Sequence, residues 1–99
     1  MYIYNVTINV EADVKDEWVQ WMKHSHMPEV MATGCFLTCQ LCQLMVEEET
    51  GVTYAAQYTF ETESQFLQYQ NEFAPQIQKK TADKYGEKAL AFRTVLKVL

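Results

Sequence analysis

This sequence contains little that interrupts a chain and little positive charge. Its 99 residues hold two prolines, three glycines and eight basic side chains against thirteen acidic ones. A net charge of −5 and a pI near 4.9 set the surface against phosphate backbones. The only adjacent basic pair is Lys79 and Lys80, so no nucleic-acid partner is expected. The strands also lack the glycine and aromatic signature of RNA-binding modules. No apolar run approaches the roughly 18–20 residues that cross a bilayer. The amino terminus enters an alternating pattern at once, without a charged segment, an apolar stretch and a cleavage site. A cytoplasmic location with no membrane partner is the expectation. There is no G-x-G-x-x-G, Walker or G-x-S-x-G motif, which leaves nucleotide binding and serine hydrolysis without support and no cofactor implied.

What is present is an ordered series of amphipathic segments. Tyr2, Tyr4, Val6, Ile8 and Val10 alternate with Ile3, Asn5, Thr7 and Asn9, the period of a strand. Asp13, Asp16 and Glu17 read as a helix start, followed by Val14, Trp18, Trp21, Met22 and Ser25 at helical spacing, with both tryptophans toward a sheet. Pro28 predicts a break or restart, and Gly34 an end. Residues 36–46 and 52–60 read as a hairpin joined through Glu47, Glu48, Glu49, Thr50 and Gly51, the three glutamates forming a solvated turn. Thr62 and Gln65 have the spacing of a capping box for a second helix carrying Phe66, Leu67, Tyr69, Phe73 and Ile77. Pro75 predicts a kink and Gly86 a stop, before a final strand from Leu90 to Val98. The order βαββαβ predicts one ferredoxin-like α+β domain over 1–99: a four-stranded antiparallel sheet with two helices on one face.

Parity along the strands suggests where function could lie. With helices covering Val6, Ile8, Tyr58, Phe60, Phe92 and Leu96, the other face would carry Asn5, Thr7, Asn9, Gln57, Thr59 and Arg93. Tyr54 and Tyr58 then pack in the core. Arg93 among Asn5, Thr7 and Gln57 could bind a carboxylate or phosphate through forked hydrogen bonds; the plainer alternative is a solvated arginine. His26, beside Glu29 at the expected break, is the candidate general acid or base, against a plainer role in capping the turn. His24 and His26, two apart on a helix, point to opposite sides and predict no shared metal. Cys35, Cys39 and Cys42 spell C-x3-C-x2-C, a spacing known from iron–sulfur sites, but a strand directs Cys42 away from the other two, so reduced, unligated thiols are expected.

The segment from Trp18 through His26, Pro28, Glu29 and Val30 to Ala32, Thr33 and Gly34, with Tyr58 and the closing Ala91, Phe92, Arg93 and Thr94, resembles a family of short bacterial proteins of unknown function. That family is similar to the dimeric α/β-barrel superfamily, in which two ferredoxin-like sheets pack face to face. The resemblance implies a homodimer whose interior is lined by Asn5, Thr7, Gln57 and Arg93. The wider superfamily includes cofactor-independent monooxygenases, lactone isomerases, haem-degrading enzymes and ligand-sensing domains, several with a pocket between sheet and helices. Two functions follow as expectations: a small-molecule-binding domain taking a small anionic ligand, with cofactor-independent catalysis as its extension, or a non-catalytic interaction protein using the sheet face for dimerisation.

Overall fold

The computed structural model describes residues 1–46 and 48–99. β1 (Tyr2–Val10) leads into a helical arm made of α1 (Lys15–Trp21), a π turn (Met22–His26) and α2 (Met27–Ala32). β2 (Thr38–Gln43) and β3 (Val52–Phe60) form the hairpin. A second arm follows, α3 (Glu63–Gln68), a π turn (Tyr69–Phe73) and α4 (Ala74–Tyr85), and a 3-10 turn (Gly86–Lys88) delivers β4 (Ala89–Lys97). The strands make one antiparallel sheet in the order β2-β3-β1-β4. This is the expected ferredoxin-like arrangement. β2 is shorter than its alternation suggested, because Phe36 is drawn into the core against Tyr58 and Tyr69. Among the described residues no helix is long and apolar enough to cross a membrane.

Neither proline breaks its arm. A proline has no N–H to donate and its ring crowds the carbonyl one turn back. Here the turn before it widens instead: Met27 N–H bonds the Met22 carbonyl, and Ala74 N–H bonds the Tyr69 carbonyl, each reaching back five residues. Pro28 and Pro75 then occupy the first turn of α2 and α4, where a missing donor costs least.

The capping box forms as its spacing predicts. Gln65 N–H donates to Thr62 Oγ1 at 3.3 Å, and Thr62 N–H donates to Gln65 Oε1 at 3.2 Å. Thr62→Ala should lower stability in urea unfolding by about 1 kcal/mol. Asp13 does not cap α1; the residue before that helix is Val14, with no side-chain bond, and Asp13 instead pairs with Lys88 at 2.7 Å. Glu47 of the acidic connection lies outside the described residues. Glu48 is no free solvated side chain: it accepts from Thr53 N–H at 2.9 Å and from the Thr53 hydroxyl at 2.6 Å.

The register corrects one expectation. Val6 pairs with Ala56 on one side and Arg93 on the other, and Thr7 pairs with Ala55 and Phe92. Arg93 therefore shares the helix-covered face with Val6, while Phe92 and Leu96 share the open face with Asn5, Thr7 and Gln57. Hydrophobic alternation misassigned β4 because its larger apolar residues serve the open face. The positions turned to the helices are Ala89, Ala91, Arg93 and Val95. β1 and β3 keep the expected parity, with Tyr4, Ile8, Val10, Tyr54, Tyr58 and Phe60 buried.

Candidate functional site

Small side chains set into an aromatic layer open a space between sheet and helices. On β3, Ala56 lies between Tyr54 and Tyr58; beside it run Val6 and Arg93, and the neighbouring row ends in Ala91. Tyr58 stacks on Tyr4 on one side at 5.9 Å between ring centroids, and Trp18 leans on Tyr54 on the other at 5.0 Å. The alanines between these rings cannot fill the layer. A cavity of about 50 Å³ results, roofed by His26 and Val30 from the first arm and by Ile77, Gln78 and Thr81 from α4. The two π turns meet there: His26 ends the first, Tyr69 begins the second, and both line the cavity.

The structure thus brings His26 and Arg93 together, and it places the sheet between Arg93 and the other three expected ligand-binding residues. Asn5, Thr7 and Gln57 bond to one another across the open face. Gln57 Nε2 donates to Asn5 Oδ1 at 3.2 Å, Asn5 Nδ2 to Thr7 Oγ1 at 3.2 Å, and Gln40 Nε2 to Gln57 Oε1 at 2.9 Å. This ladder flanks the exposed side chains of Leu90, Phe92 and Leu96.

Arg93 is exposed at the cavity mouth, and no acidic residue among the described residues lines the cavity. Among the described residues Arg93 pairs with no carboxylate. Burial raises the Tyr4 hydroxyl pKa above its ordinary value, and the neighbouring Arg93 charge, with polar contacts to Arg93 and Gln78, pulls it partly back. Burial likewise pushes Tyr58 and Tyr69 upward, so both stay protonated. His26 is shifted down to about 4, chiefly by burial, with the Arg93 charge adding to the shift and Glu29 opposing it. Its Nδ1 lies 3.4 Å from Thr81 Oγ1, and the Thr81 hydroxyl donates to the Ile77 carbonyl at 3.4 Å.

The sign of the His26 shift makes a prediction. Between pH 6.5 and about 4 the unfolded chain takes up a proton that the folded imidazole refuses, so stability present above 6.5 falls as pH drops through that window. The loss attributable to His26 should be about 2 kcal/mol, allowing for its partial exposure. Urea midpoints at pH 7 and 4.5 should show this component in the native protein and lack it in His26→Gln. An identical pH dependence in both would contradict the burial-driven shift.

The other candidates stay apart. His24 Nε2 is 3.1 Å from Gln20 Oε1 on the exposed side of the arm. Trp21, expected against the sheet, instead lies beside His26 and Tyr85, at 5.0 and 5.3 Å between centroids. Cys35 is buried, Cys39 exposed and Cys42 half-buried, all three free. Among the described residues no group of three metal-ligating side chains converges. Gln78 and Thr81 were not singled out from sequence; Thr81 follows Ile77 by four residues and so lies on that residue's inward stripe.

Residues 1–99 match the family described as a domain of unknown function, DUF4286. No curated protein shows significant similarity to the chain. Among solved structures, the haem degrader MhuD from Mycobacterium tuberculosis, with two haems bound in its active site, is similar over 100% of this chain and 96% of its own, at 19% identity and a TM-score of 0.69. An EthD-family protein from Bacillus halodurans C-125 covers 100% of both chains at 12% identity and a TM-score of 0.71. A dimeric ferredoxin-like protein from an uncultured marine organism covers 99% of this chain and 95% of its own at 11% identity and a TM-score of 0.57. At these identities the likeness establishes the fold.

Proposed function

The chain belongs to the DUF4286 family of unknown function, so its activity must be read from its own residues, and we propose that it is a homodimer that binds a small molecule by an anionic group in the cavity between sheet and helices. The observation that carries this reading is the presence of Arg93 and His26 on one cavity whose lining, among the described residues, holds no carboxylate. A guanidinium without an acidic partner favours an incoming anion, through charge-assisted bonds worth roughly 1.5–3 kcal/mol each. At about 50 Å³ the cavity takes a compact ligand, its anionic group meeting Arg93 at the mouth. His26 is the candidate base there; with its pKa held at about 4 it is neutral at ordinary pH and takes a proton only from an acidic group of the ligand. The MhuD neighbour's active-site haems support a small-molecule role for this fold, and the dimeric neighbour supports pairing. Asn5, Thr7 and Gln57 belong in this reading to the paired sheet face.

Native mass spectrometry of the untagged protein tests it. The expected result is a dimer carrying a reproducible extra mass that Arg93→Ala loses. A bare dimer in both proteins would overturn ligand binding. The cavity's size also favours a second reading, a non-catalytic interaction protein whose sheet face makes the dimer, since organic ligands usually occupy about 300 Å³ or more. The bare dimer is that reading's prediction.

A further inference from the structure

Two buried polar atoms, on residues that line the cavity, have no partner among the described residues. Trp18 Nε1–H and the Tyr58 hydroxyl are both fully buried, belong to residues only 1% exposed, and find no acceptor within hydrogen-bonding reach. Both residues line the same cavity that Arg93 borders at its exposed end. A buried donor left unpaired is costly, and folded proteins rarely tolerate one without a reason. Two such donors on residues that line one cavity, with no carboxylate in that lining among the described residues, suit it to an oxygen acceptor. The indole offers a donor only, so a ligand group that is itself only a donor gains nothing from it.

We propose that the cavity recognises two points on one ligand: a carboxylate held by Arg93 at the mouth, and a neutral oxygen acceptor, such as a keto group, bonded by Trp18 and Tyr58. The chemical class is a compact 2-oxo acid or an equivalent carboxylate with a second acceptor oxygen close by. The apolar walls, Val6, Ile8 and Ala56 among them, suit the short alkyl group that such an acid carries on its keto carbon. This inference rests on the reading that the cavity binds an anionic small molecule, and adds the second contact that decides which anions fit.

Sodium pyruvate is the probe, with sodium chloride as the ionic control, followed through the Trp18 indole N–H signal in proton–nitrogen NMR spectra of the full chain. Trp18 and Trp21 are the only two tryptophans, so the Trp18 signal is assigned with a Trp21→Phe variant. The expected result is a saturable pyruvate-specific shift of that signal in the native protein, about tenfold weaker affinity in Tyr58→Phe, and no saturation in Arg93→Ala. Tyr58→Phe keeps the ring and removes only the unpartnered hydroxyl, so without ligand its melting temperature should equal or exceed the native value. A lower melting temperature would mean the hydroxyl is bonded within the fold, which overturns the inference. Equal affinity in Tyr58→Phe and the native protein, with loss in Arg93→Ala, would also overturn it and leave anion binding standing, the buried donors then being served by water. Absence of saturable binding to the native protein would overturn it as well; an Arg93-dependent native-mass adduct would then show that anion binding survives, and its absence that both fail.

Discussion

Phe92→Glu should leave the protein monomeric at concentrations where the proposed dimer of the native chain forms. Phe92 is 68% exposed in the single chain, midway along a stripe formed with Leu90 and Leu96 on the uncovered sheet face. Large apolar side chains aligned on one face mark a surface that another surface covers. A second copy of the same sheet would bury the stripe twice over. Glutamate at the centre would bring a carboxylate from each copy into that contact, adding desolvation and like-charge repulsion to the loss of two aromatic rings. Size-exclusion chromatography with light scattering should show the mass halved. Phe92 faces away from the helical arms, so the variant's circular dichroism should match that of the native protein. A dimer that survives the substitution would show that the sheets are not the interface.

Gly51→Ala should cost about 3 kcal/mol or more, read as a lower urea midpoint. Gly51 has φ of 70°, in the left-handed region that disfavours side chains by roughly 1–2 kcal/mol, and its added Cβ would collide with the Val10 carbonyl oxygen. That oxygen belongs to the backbone of β1, paired with Val52 at the end of the hairpin, and cannot move without distorting the ladder. Gly34→Ala makes the comparison: φ is 77° but nothing lies within 4 Å of the new carbon. It should lose only the conformational part, about 1–2 kcal/mol. Equal losses at the two positions would remove the close approach from the account.

The elements were legible in the sequence because their periods are distinct. β3 was expected at 52–60 and is found there, and the Thr62 capping box forms from its spacing alone. The site was less legible, for two physical reasons. β4 carries its larger apolar side chains, Leu90, Phe92 and Leu96, on the uncovered face and Ala89, Ala91, Arg93 and Val95 toward the helices, so hydrophobic alternation points to the wrong face. That pattern placed Arg93 with Asn5 and Thr7 instead of across the sheet from them. The cavity arises from what Ala56 and Ala91 leave unfilled, and an alanine in a strand reads as filler until its neighbours are known to be rings. His26 was singled out for its chemistry; its place above Val6 and Arg93 comes from two elements distant in sequence.

The widened turn before Pro28 also fixes the angular phase of its arm. Along an undisturbed α-helix, eight residues at about 100° each would set His26 some 80° around the axis from Trp18. Accommodating one extra residue in the turn subtracts close to one such step, which brings the imidazole into line with the indole above the same patch of sheet. Removing that extra residue between Met22 and His26 would let the turn close to α geometry with everything after it in its present phase, whereas one further residue without a second widened turn would swing everything after it by about a quarter turn. In this chain the length of one turn, counted to the residue, decides which side chains look into the protein and which look out.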